Sequence, residues 1–206
     1  MVKNPADRKR EIIETARHLF QSKGYDKVTM QDIMDSLDIA KGTIYHYFKS
    51  KEELLEAVIE SIVETNVSHM QDIIETTSGT ALEKIKILAK AGDISVENTS
   101  ILERLHKPDN SAMHLRILAS MITKQAGLYE GLIKQGCEEG VFTAENPLEC
   151  AELILAGVQF LTDKGIYPWS SEDLHRRAKT LPKLLEQLLR APSGSFDFMI
   201  QMTQNN

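Results

Sequence analysis

Apolar residues recur at intervals of three and four along almost the whole 206-residue chain, and alternating apolar runs are few. This spacing is typical of amphipathic α-helices, because residues three and four apart share one helix face. The pattern therefore predicts an all-α protein of about nine or ten helices.

The first two predicted helices have recognisable start and stop signals. Asn4 and Pro5 begin the first helix as its N-cap and first helical residue, and Gly24 ends it. Thr29, with Asp32 three residues later, is a capping box that begins the second helix. Both helices carry an apolar stripe that we expect to be buried.

The second and third helices are separated by only three residues, 38–40. Two short helices joined by so tight a turn cross steeply, which is the helix-turn-helix arrangement whose second helix enters the major groove of DNA. Ser50 and Glu53 form another capping box, so a fourth helix is expected to begin at Lys51 and the third helix to end just before it.

The third helix has one apolar face and one face suited to DNA. Ile44 and Phe48, four residues apart, are expected to hold it against the first two helices. The absence of a side chain at Gly42 lets backbone N–H groups come close to a phosphate. Tyr47 fits either a phosphate contact or packing against the next helix. The residues expected to point outward, or to lie at the leading end, are Lys41, Gly42, Thr43, Tyr45, His46 and Lys49.

Charge is distributed unevenly in this chain of formal net charge -6. Residues 1–51 carry 10 Lys and Arg against 7 Asp and Glu, whereas the remaining residues carry 14 against 23. A basic segment can neutralise phosphates, while an acidic remainder is repelled by nucleic acid. Charge alone suits a solvated surface equally well, so it supports the helix-turn-helix interpretation without deciding it.

The segment VTMQDIMDSLDIAKGTIYHYFKSKEELLEAV, preceded by Gly24 and Tyr25, resembles the DNA-binding signature of the TetR/AcrR family of bacterial transcriptional regulators. The resemblance spans about residues 8–58. It implies a homodimer that binds a palindromic operator in double-stranded DNA and leaves it when a small molecule enters a larger helical domain. Asp38 stands where family members usually have Gly, and Met30 where a small polar residue is common.

The resemblance also assigns residues and domains. It implies a three-helix DNA-binding domain at 1–50 and a larger helical domain for effector binding and dimerisation at 51–206. The residues expected to bind DNA are Thr29, Gln31, Lys41, Gly42, Thr43, Tyr45, His46, Tyr47 and Lys51. A repressor is the commoner role in the family, and an activator or a regulator without an effector is the alternative on the same fold.

The larger domain gives weaker signals. Thr80 with Glu83, and Asn146 with Pro147, are expected to begin helices, and Pro182 is expected to interrupt and kink the last long helix. A small apolar or amphipathic effector could be bound by Met70, Leu102, His106, Met113, Met121, Tyr129 and Phe160. Each of these is also consistent with ordinary core filling. The last two long helices would form the dimer contact through Ile154, Leu155, Val158, Leu161, Leu174, Leu181, Leu185 and Leu188, although intrachain core is an equal alternative for each.

A remote alternative is a helical-bundle metalloenzyme, because Glu103 with His106 and Glu172 with His175 have the Glu-x-x-His spacing of di-iron proteins. Both pairs lie near helix ends rather than at mid-helix, where such ligands converge. No motif of nucleophilic or phosphoryl chemistry occurs, so we expect neither an enzyme nor a metal or other cofactor. The chain start lacks the apolar segment of a secretory signal, and no apolar run reaches the ~18 to 20 residues of a membrane span, so the expected location is the cytoplasm.

Overall fold

A computed structural model describes residues 4–91 and 95–202 of the chain. Those residues form ten α-helices and two short 3₁₀-helices, with no β-strand among them, which confirms the all-α prediction. The α-helices are α1 Pro5–Lys23, α2 Met30–Leu37, α3 Lys41–Tyr47, α4 Lys51–Thr76, α5 Ala81–Ala91, α6 Ser95–Leu105, α7 Ser111–Glu138, α8 Pro147–Thr162, α9 Ser171–Leu189 and α10 Phe198–Met202. The 3₁₀-helices are Tyr25–Lys27 and Pro108–Asn110.

The helix starts near the amino-terminal end follow from capping side chains. The Asn4 side chain accepts a hydrogen bond from the Ala6 N–H at 3.2 Å, and Gly24 ends α1 with a positive φ of 85°. Thr29 and Asp32 cap α2 reciprocally. These contacts satisfy N–H groups that have no partner inside a helix, so the three sequence predictions are confirmed.

The turn between α2 and α3 places Asp38 in the left-handed region, at φ 49° and ψ 53°. Glycine adopts this conformation without cost, whereas Asp is among the few other residues that tolerate it. The Ile39 N–H donates to the Met34 carbonyl at 3.1 Å and closes the turn. The turn therefore forms with Asp in place of the usual Gly.

Two expectations about the later helices need correction. Helix α9 runs without interruption from Ser171 to Leu189 through Pro182, which is buried, so proline does not interrupt it. A proline inside a helix removes the hydrogen bond to the carbonyl four residues earlier, and here packing of the buried face outweighs that loss. Asn146 is the N-cap residue of α8, but its side chain makes no capping hydrogen bond.

The chain divides by packing into two compact units, and the domain boundary at residues 50 and 51 stays a prediction. The first unit is residues 1–65 with 94–114, and the second is residues 66–93 with 115–206. Helix α6 belongs to the first unit because it packs on α1, where the Ser100 hydroxyl donates to the Phe20 carbonyl at 3.0 Å.

Each unit has its own apolar core. Ile12, Phe20, Ile33 and Leu54 are fully buried in the first unit. The core of the second unit comprises Met70, Ala81, Ile85, Leu88, Leu132, Ile133, Phe142, Ala151, Leu185, Leu189 and Phe196. No helix in the described part of the chain has the length and apolarity needed to cross a membrane.

Candidate nucleic-acid interface

Helix α3 is anchored by the two residues that the sequence placed inward. Ile44 is fully buried and Phe48 is 2% exposed, so both belong to the core of the first unit. Tyr45, between them in sequence, is 39% exposed. The predicted orientation of the helix is confirmed, and its polar face lies at the surface.

The exposed face of α3 carries aromatic rings next to cations. The Lys41 ammonium lies 5.7 Å from the centre of the Tyr45 ring, and the rings of His46 and Tyr47 meet edge to face with centres 5.0 Å apart. Lys41, His46 and Lys49 are exposed, whereas Tyr47 is only partly so. Ammonium and phenol groups suit phosphate oxygens, and an imidazole can reach base edges.

Gly42 lies on this face with nothing in front of it. A Cβ atom built at Gly42 would meet no atom of the described residues within 4 Å, and Gly42 is exposed. Crowding within the protein therefore does not require glycine here. Without a side chain, the backbone at Gly42 is open to close approach from outside the protein.

At the start of α2, Thr29 is occupied by its capping role. Its hydroxyl donates to the Asp32 carboxylate at 2.6 Å, and its backbone N–H donates to the same carboxylate oxygen at 2.7 Å. The Thr29 hydroxyl hydrogen bond is the main reason that the pKa of Asp32 is lowered. Because both Thr29 donors are committed to Asp32, the Thr29 hydroxyl has no second proton for a phosphate.

Gln31 and Thr43, two further predicted DNA contacts, differ in exposure and in the hydrogen-bond donors that they keep free. The Gln31 amide donates to the Asp35 carboxylate at 2.6 Å, but both residues are exposed and the amide has a second N–H. Thr43 is partly buried, and its backbone N–H donates to the Ala40 carbonyl at 2.9 Å.

Lys51 points into the protein rather than toward solvent. Its ammonium donates to the carbonyls of Tyr25 and Val28, at 2.8 and 2.7 Å, and lies 4.0 Å from the centre of the Tyr25 ring. Burial lowers the pKa of Lys51, although nearby Asp26 and Glu52 act in the opposite direction. Sequence reasoning treated Lys51 as a phosphate contact, whereas the structure gives it an internal role.

The internal role of Lys51 is to hold the 3₁₀-helix Tyr25–Lys27, which leads into α2. Arg104, from α6, lies 5.1 Å from the centre of the same Tyr25 ring, and the Lys107 ammonium contacts the Asp26 carboxylate at 2.7 Å. Burial is the main cause that raises the pKa of Tyr25 to about 12, so the phenol stays neutral. The turn just before Thr29 is thus held from both α4 and α6.

The residues proposed from sequence for effector binding divide between the two units. Leu102, His106 and Met113 belong to the first unit, and the His106 ring lies 4.9 Å from that of His114. Met70, Met121, Tyr129 and Phe160 belong to the second unit. Within that unit Met70 is part of the core, Tyr129 packs against it, and burial raises the pKa of Tyr129 to about 12. The Phe160 ring packs edge to face on Tyr167, and Met121 is partly buried.

The residues proposed for the dimer contact are partly internal. Leu155 and Leu185 are each 6% exposed and lie inside the second unit, so the intrachain alternative holds for them. Ile154, Val158 and Leu181 pack against the core of that unit, and Leu174 and Leu188 are partly buried. Leu161 alone among the eight is strongly exposed, at 40%.

Sequence reasoning missed two leucines that are more exposed. Leu153 on α8 is 62% exposed and Leu184 on α9 is 51% exposed. Leu153, Gly157 and Leu161 recur every four residues, so they form one stripe along α8. That spacing is visible in the sequence. Both sides of α8 are apolar, however, so only the packing of the folded chain shows which side is exposed.

The Glu-x-x-His pairs are surface residues. Glu103 and His106 are exposed near the end of α6, and Glu172 and His175 are exposed in the first turns of α9. Ligands of a di-iron centre must instead converge in a bundle core. The metalloenzyme alternative is therefore wrong for these two pairs.

Comparison with known proteins agrees with the geometry of α1–α3. Residues 12–58 match the model of the family described as bacterial regulatory proteins, tetR family, and residues 93–182 match a tetracyclin repressor-like C-terminal domain. The chain belongs to the TetR family of transcriptional regulators. The family and its members are regulators of transcription, so this protein is not an enzyme.

Among curated relatives of this TetR-family chain are repressors named KstR2. The protein from Mycolicibacterium smegmatis is 25% identical over 142 residues, which cover 67% of this chain and 69% of the relative. The protein from Rhodococcus jostii is 23% identical over 188 residues, which cover 90% and 92%.

Solved structures of transcriptional regulators share the fold. A transcriptional regulator from Cytophaga hutchinsonii aligns with a TM-score of 0.61 at 25% identity, covering 87% of this chain and 95% of that one. A TetR-family regulator from Pectobacterium atrosepticum aligns with a TM-score of 0.64 at 23% identity, covering 91% and 97%. The pairing of a helix-turn-helix with a larger helical region therefore recurs along most of each chain.

Proposed function

We propose that this TetR-family regulator is a cytoplasmic repressor that binds a palindromic operator as a homodimer and is released by a small effector. The observation that carries the DNA-binding part is the open face of α3. A Cβ at Gly42 would meet no described atom within 4 Å, and the exposed Lys41, Tyr45 and His46 are its neighbours on α3. These groups match phosphate oxygens and base edges in a major groove.

We propose direct and indirect roles for the nine predicted residues. Lys41, Gly42, Thr43, Tyr45, His46 and Tyr47 contact DNA from α3, and Gln31 does so from α2. Thr29 and Lys51 act indirectly, because their donors are committed to Asp32 and to the turn at Tyr25–Val28. Lys49, exposed at the end of α3, is a further phosphate contact.

The homodimer rests on exposed apolar residues of the second unit. Leu153 and Leu161 lie on one stripe of α8, and Leu184 is exposed on α9, which packs against α8. Large apolar side chains at this exposure favour burial against a second copy. Gly157, between the two leucines of α8, allows close approach of another helix. A dimer is what presents two α3 helices to two half-sites.

Repression rests on the relatives named as repressors and on simple exclusion of polymerase from an overlapping operator. Release by an effector requires a state of the dimer with lower affinity for the operator. The effector can shift this equilibrium only by its difference in affinity for the two states.

The experiment that tests the DNA face is the substitution Gly42→Glu. The added Cβ meets no atom of the described residues within 4 Å, and an acidic residue in the first turn of α3 interacts favourably with the helix dipole, so the Tm should not fall. A carboxylate facing phosphates should lower affinity for a selected operator at least tenfold.

The matched control is Gly127→Glu, which adds the same charge at an exposed position of α7 where a Cβ likewise meets nothing. It should leave operator affinity within about twofold, apart from the weak long-range effect of one charge. Equal affinity of the Gly42→Glu variant and the wild type would mean that the α3 face does not lie against DNA.

A further inference from the structure

A pair of glutamines joins α7 to α8 inside the second unit. Gln125 is 3% exposed, and the Gln159 side-chain N–H donates to the Gln125 amide oxygen at 2.9 Å. The Gln159 amide oxygen is buried and has no hydrogen-bond partner among the described residues. An acceptor in that state is destabilising, because it has lost its hydrogen bonds to water without replacement.

A purely structural role does not account for this arrangement. Two facing amides that serve only to join helices can satisfy each other by a reciprocal pair of hydrogen bonds. Here the bond in one direction is present, and the Gln159 oxygen remains unpaired. An apolar pair of similar volume would join the same helices without an unsatisfied group.

The other buried polar group of the second unit has its partners. The Glu186 carboxylate accepts hydrogen bonds from the N–H groups of Gly194 and Phe196, at 2.7 and 3.4 Å, and so holds the chain after α9. Among the buried polar residues of this unit that the structure describes, unmet hydrogen-bonding capacity therefore lies at the glutamine pair.

Buried apolar residues adjoin the pair along both helices. Leu155, one turn before Gln159 on α8, and Ala126, next to Gln125 on α7, are buried. Tyr129 lies one turn after Gln125 on the same face of α7, and burial keeps its phenol protonated by raising its pKa to about 12. A charged ligand group would lose its hydration against such apolar side chains.

We propose that the effector is a neutral, largely apolar molecule with a hydrogen-bond donor, an alcohol or an amide N–H, that binds between α7 and α8 with its donor on the Gln159 amide oxygen. Gln125 is the positioning residue, since its oxygen fixes the Gln159 amide. Esters, ethers and ketones are discriminated against, because their oxygens are acceptors only and would face another acceptor. This proposal rests on the effector-released regulator proposed above and names the chemistry that its effector site selects.

The first arm of the test needs no knowledge of the effector. The double variant Gln125→Leu, Gln159→Leu replaces both amides by apolar groups of similar size, and its Tm without added ligand should equal or exceed that of the wild type. A clear fall in Tm would show that the pair is a structural element, and would overturn the proposal. The single variant Gln159→Leu should be less stable than the double variant, because it leaves the Gln125 oxygen unpaired.

The second arm measures selectivity with defined probes. The wild-type protein is titrated with a panel of apolar primary and secondary alcohols, each paired with its own methyl ether, and the Tm and operator release are recorded. At least one alcohol should raise the Tm and release operator while its ether does neither, and Gln159→Leu should abolish the difference. Gln187→Leu, at an exposed position of α9, should keep it.

Ethers as active as their alcohols, or a panel without any active alcohol, would contradict the proposal. Failure of the proposed function is distinguishable, because it appears as a wild-type protein that binds no operator before any probe is added.

Discussion

Replacement of Lys51 by Met separates an internal role from a phosphate contact. Met keeps the apolar length of the side chain but removes the ammonium, which donates to the Tyr25 and Val28 carbonyls at 2.8 and 2.7 Å and lies over the Tyr25 ring. The change therefore removes the link between the start of α4 and the turn before α2. It should leave the exposed face of α3 as it is.

The expected loss of stability follows from those contacts. Hydrogen bonds that involve a charged group contribute about 1.5–3 kcal/mol each, and a side chain that is only partly buried keeps a fraction of this. We expect the free energy of unfolding to fall by about 2 kcal/mol for the two bonds together. For a chain of this size that loss lowers the Tm by about 4–8 °C.

The assay is fluorescence anisotropy with a selected operator at several salt concentrations, at a temperature where the variant is fully folded. A lysine that neutralises one phosphate contributes about 0.9 to the slope of log K against log salt. Lys51→Met should weaken operator binding because the start of α2 shifts, yet keep the wild-type slope. The matched variant Lys49→Met removes an exposed cation and should reduce the slope by about 0.9 while leaving the Tm within about 1 °C.

The reasoning would be refuted by the opposite pattern. If Lys51→Met reduced the slope by about one unit with an unchanged Tm, the ammonium would contact phosphate in the complex and the internal hydrogen bonds would be incidental.

Three further predictions test the capping, the dimer and the DNA face. Asp32 has a lowered pKa in the folded protein, so its contribution to stability is present above the unfolded pKa of about 3.9 and is lost as pH falls through the folded value. The difference in Tm between wild type and Asp32→Asn should therefore be largest at neutral pH and shrink as the pH falls below about 4; a difference that does not change with pH would contradict it. Leu184→Glu should shift the protein to monomer in sedimentation analysis. Ile87→Glu replaces another exposed large aliphatic side chain, on α5 outside the proposed interface, and should not change the oligomeric state. A stable Leu184→Glu dimer would move the interface elsewhere. Tyr45→Phe should weaken operator binding by about 1 kcal/mol, the net contribution of one hydrogen bond, as measured by anisotropy; unchanged affinity would remove the Tyr45 hydroxyl from the interface.

The helices at the amino-terminal end were predictable because local chemistry decides them. The capping residues Asn4, Thr29 and Asp32 and the inward pair Ile44 and Phe48 act within one or two turns of the chain, so their spacing contains the necessary information. The resemblance to the TetR family is confirmed over residues 12–58, and the assignment of the DNA face to α3 stays a prediction.

The internal contacts of Lys51 could not be predicted, because they form only after folding. Lys51 reaches carbonyls more than twenty residues away, at Tyr25 and Val28, and nothing in its sequence neighbours indicates this. A lysine in a basic segment is indistinguishable by sequence from a phosphate contact.

The larger helical region was less predictable because its helices are apolar on more than one side. In α8, Leu155 is internal while Leu153 and Leu161 are exposed, although all three fit an amphipathic pattern. Helix α9 continues through Pro182 because tertiary packing outweighs the low helix propensity of proline. The hydrogen-bonded pair of Gln125 and Gln159 could not be predicted either, because a polar residue in a helix is more often exposed than buried.

The central claim is that this protein reads DNA sequence through α3, and selection from a random duplex library tests it most directly. The purified protein is bound to the library at two salt concentrations, and the retained duplexes are sequenced and measured by anisotropy. The account predicts enrichment of an inverted repeat that binds tightly, with salt-sensitive affinity that Gly42→Glu removes and Gly127→Glu keeps. No enriched sequence, or equal and weak binding of every duplex, would contradict it.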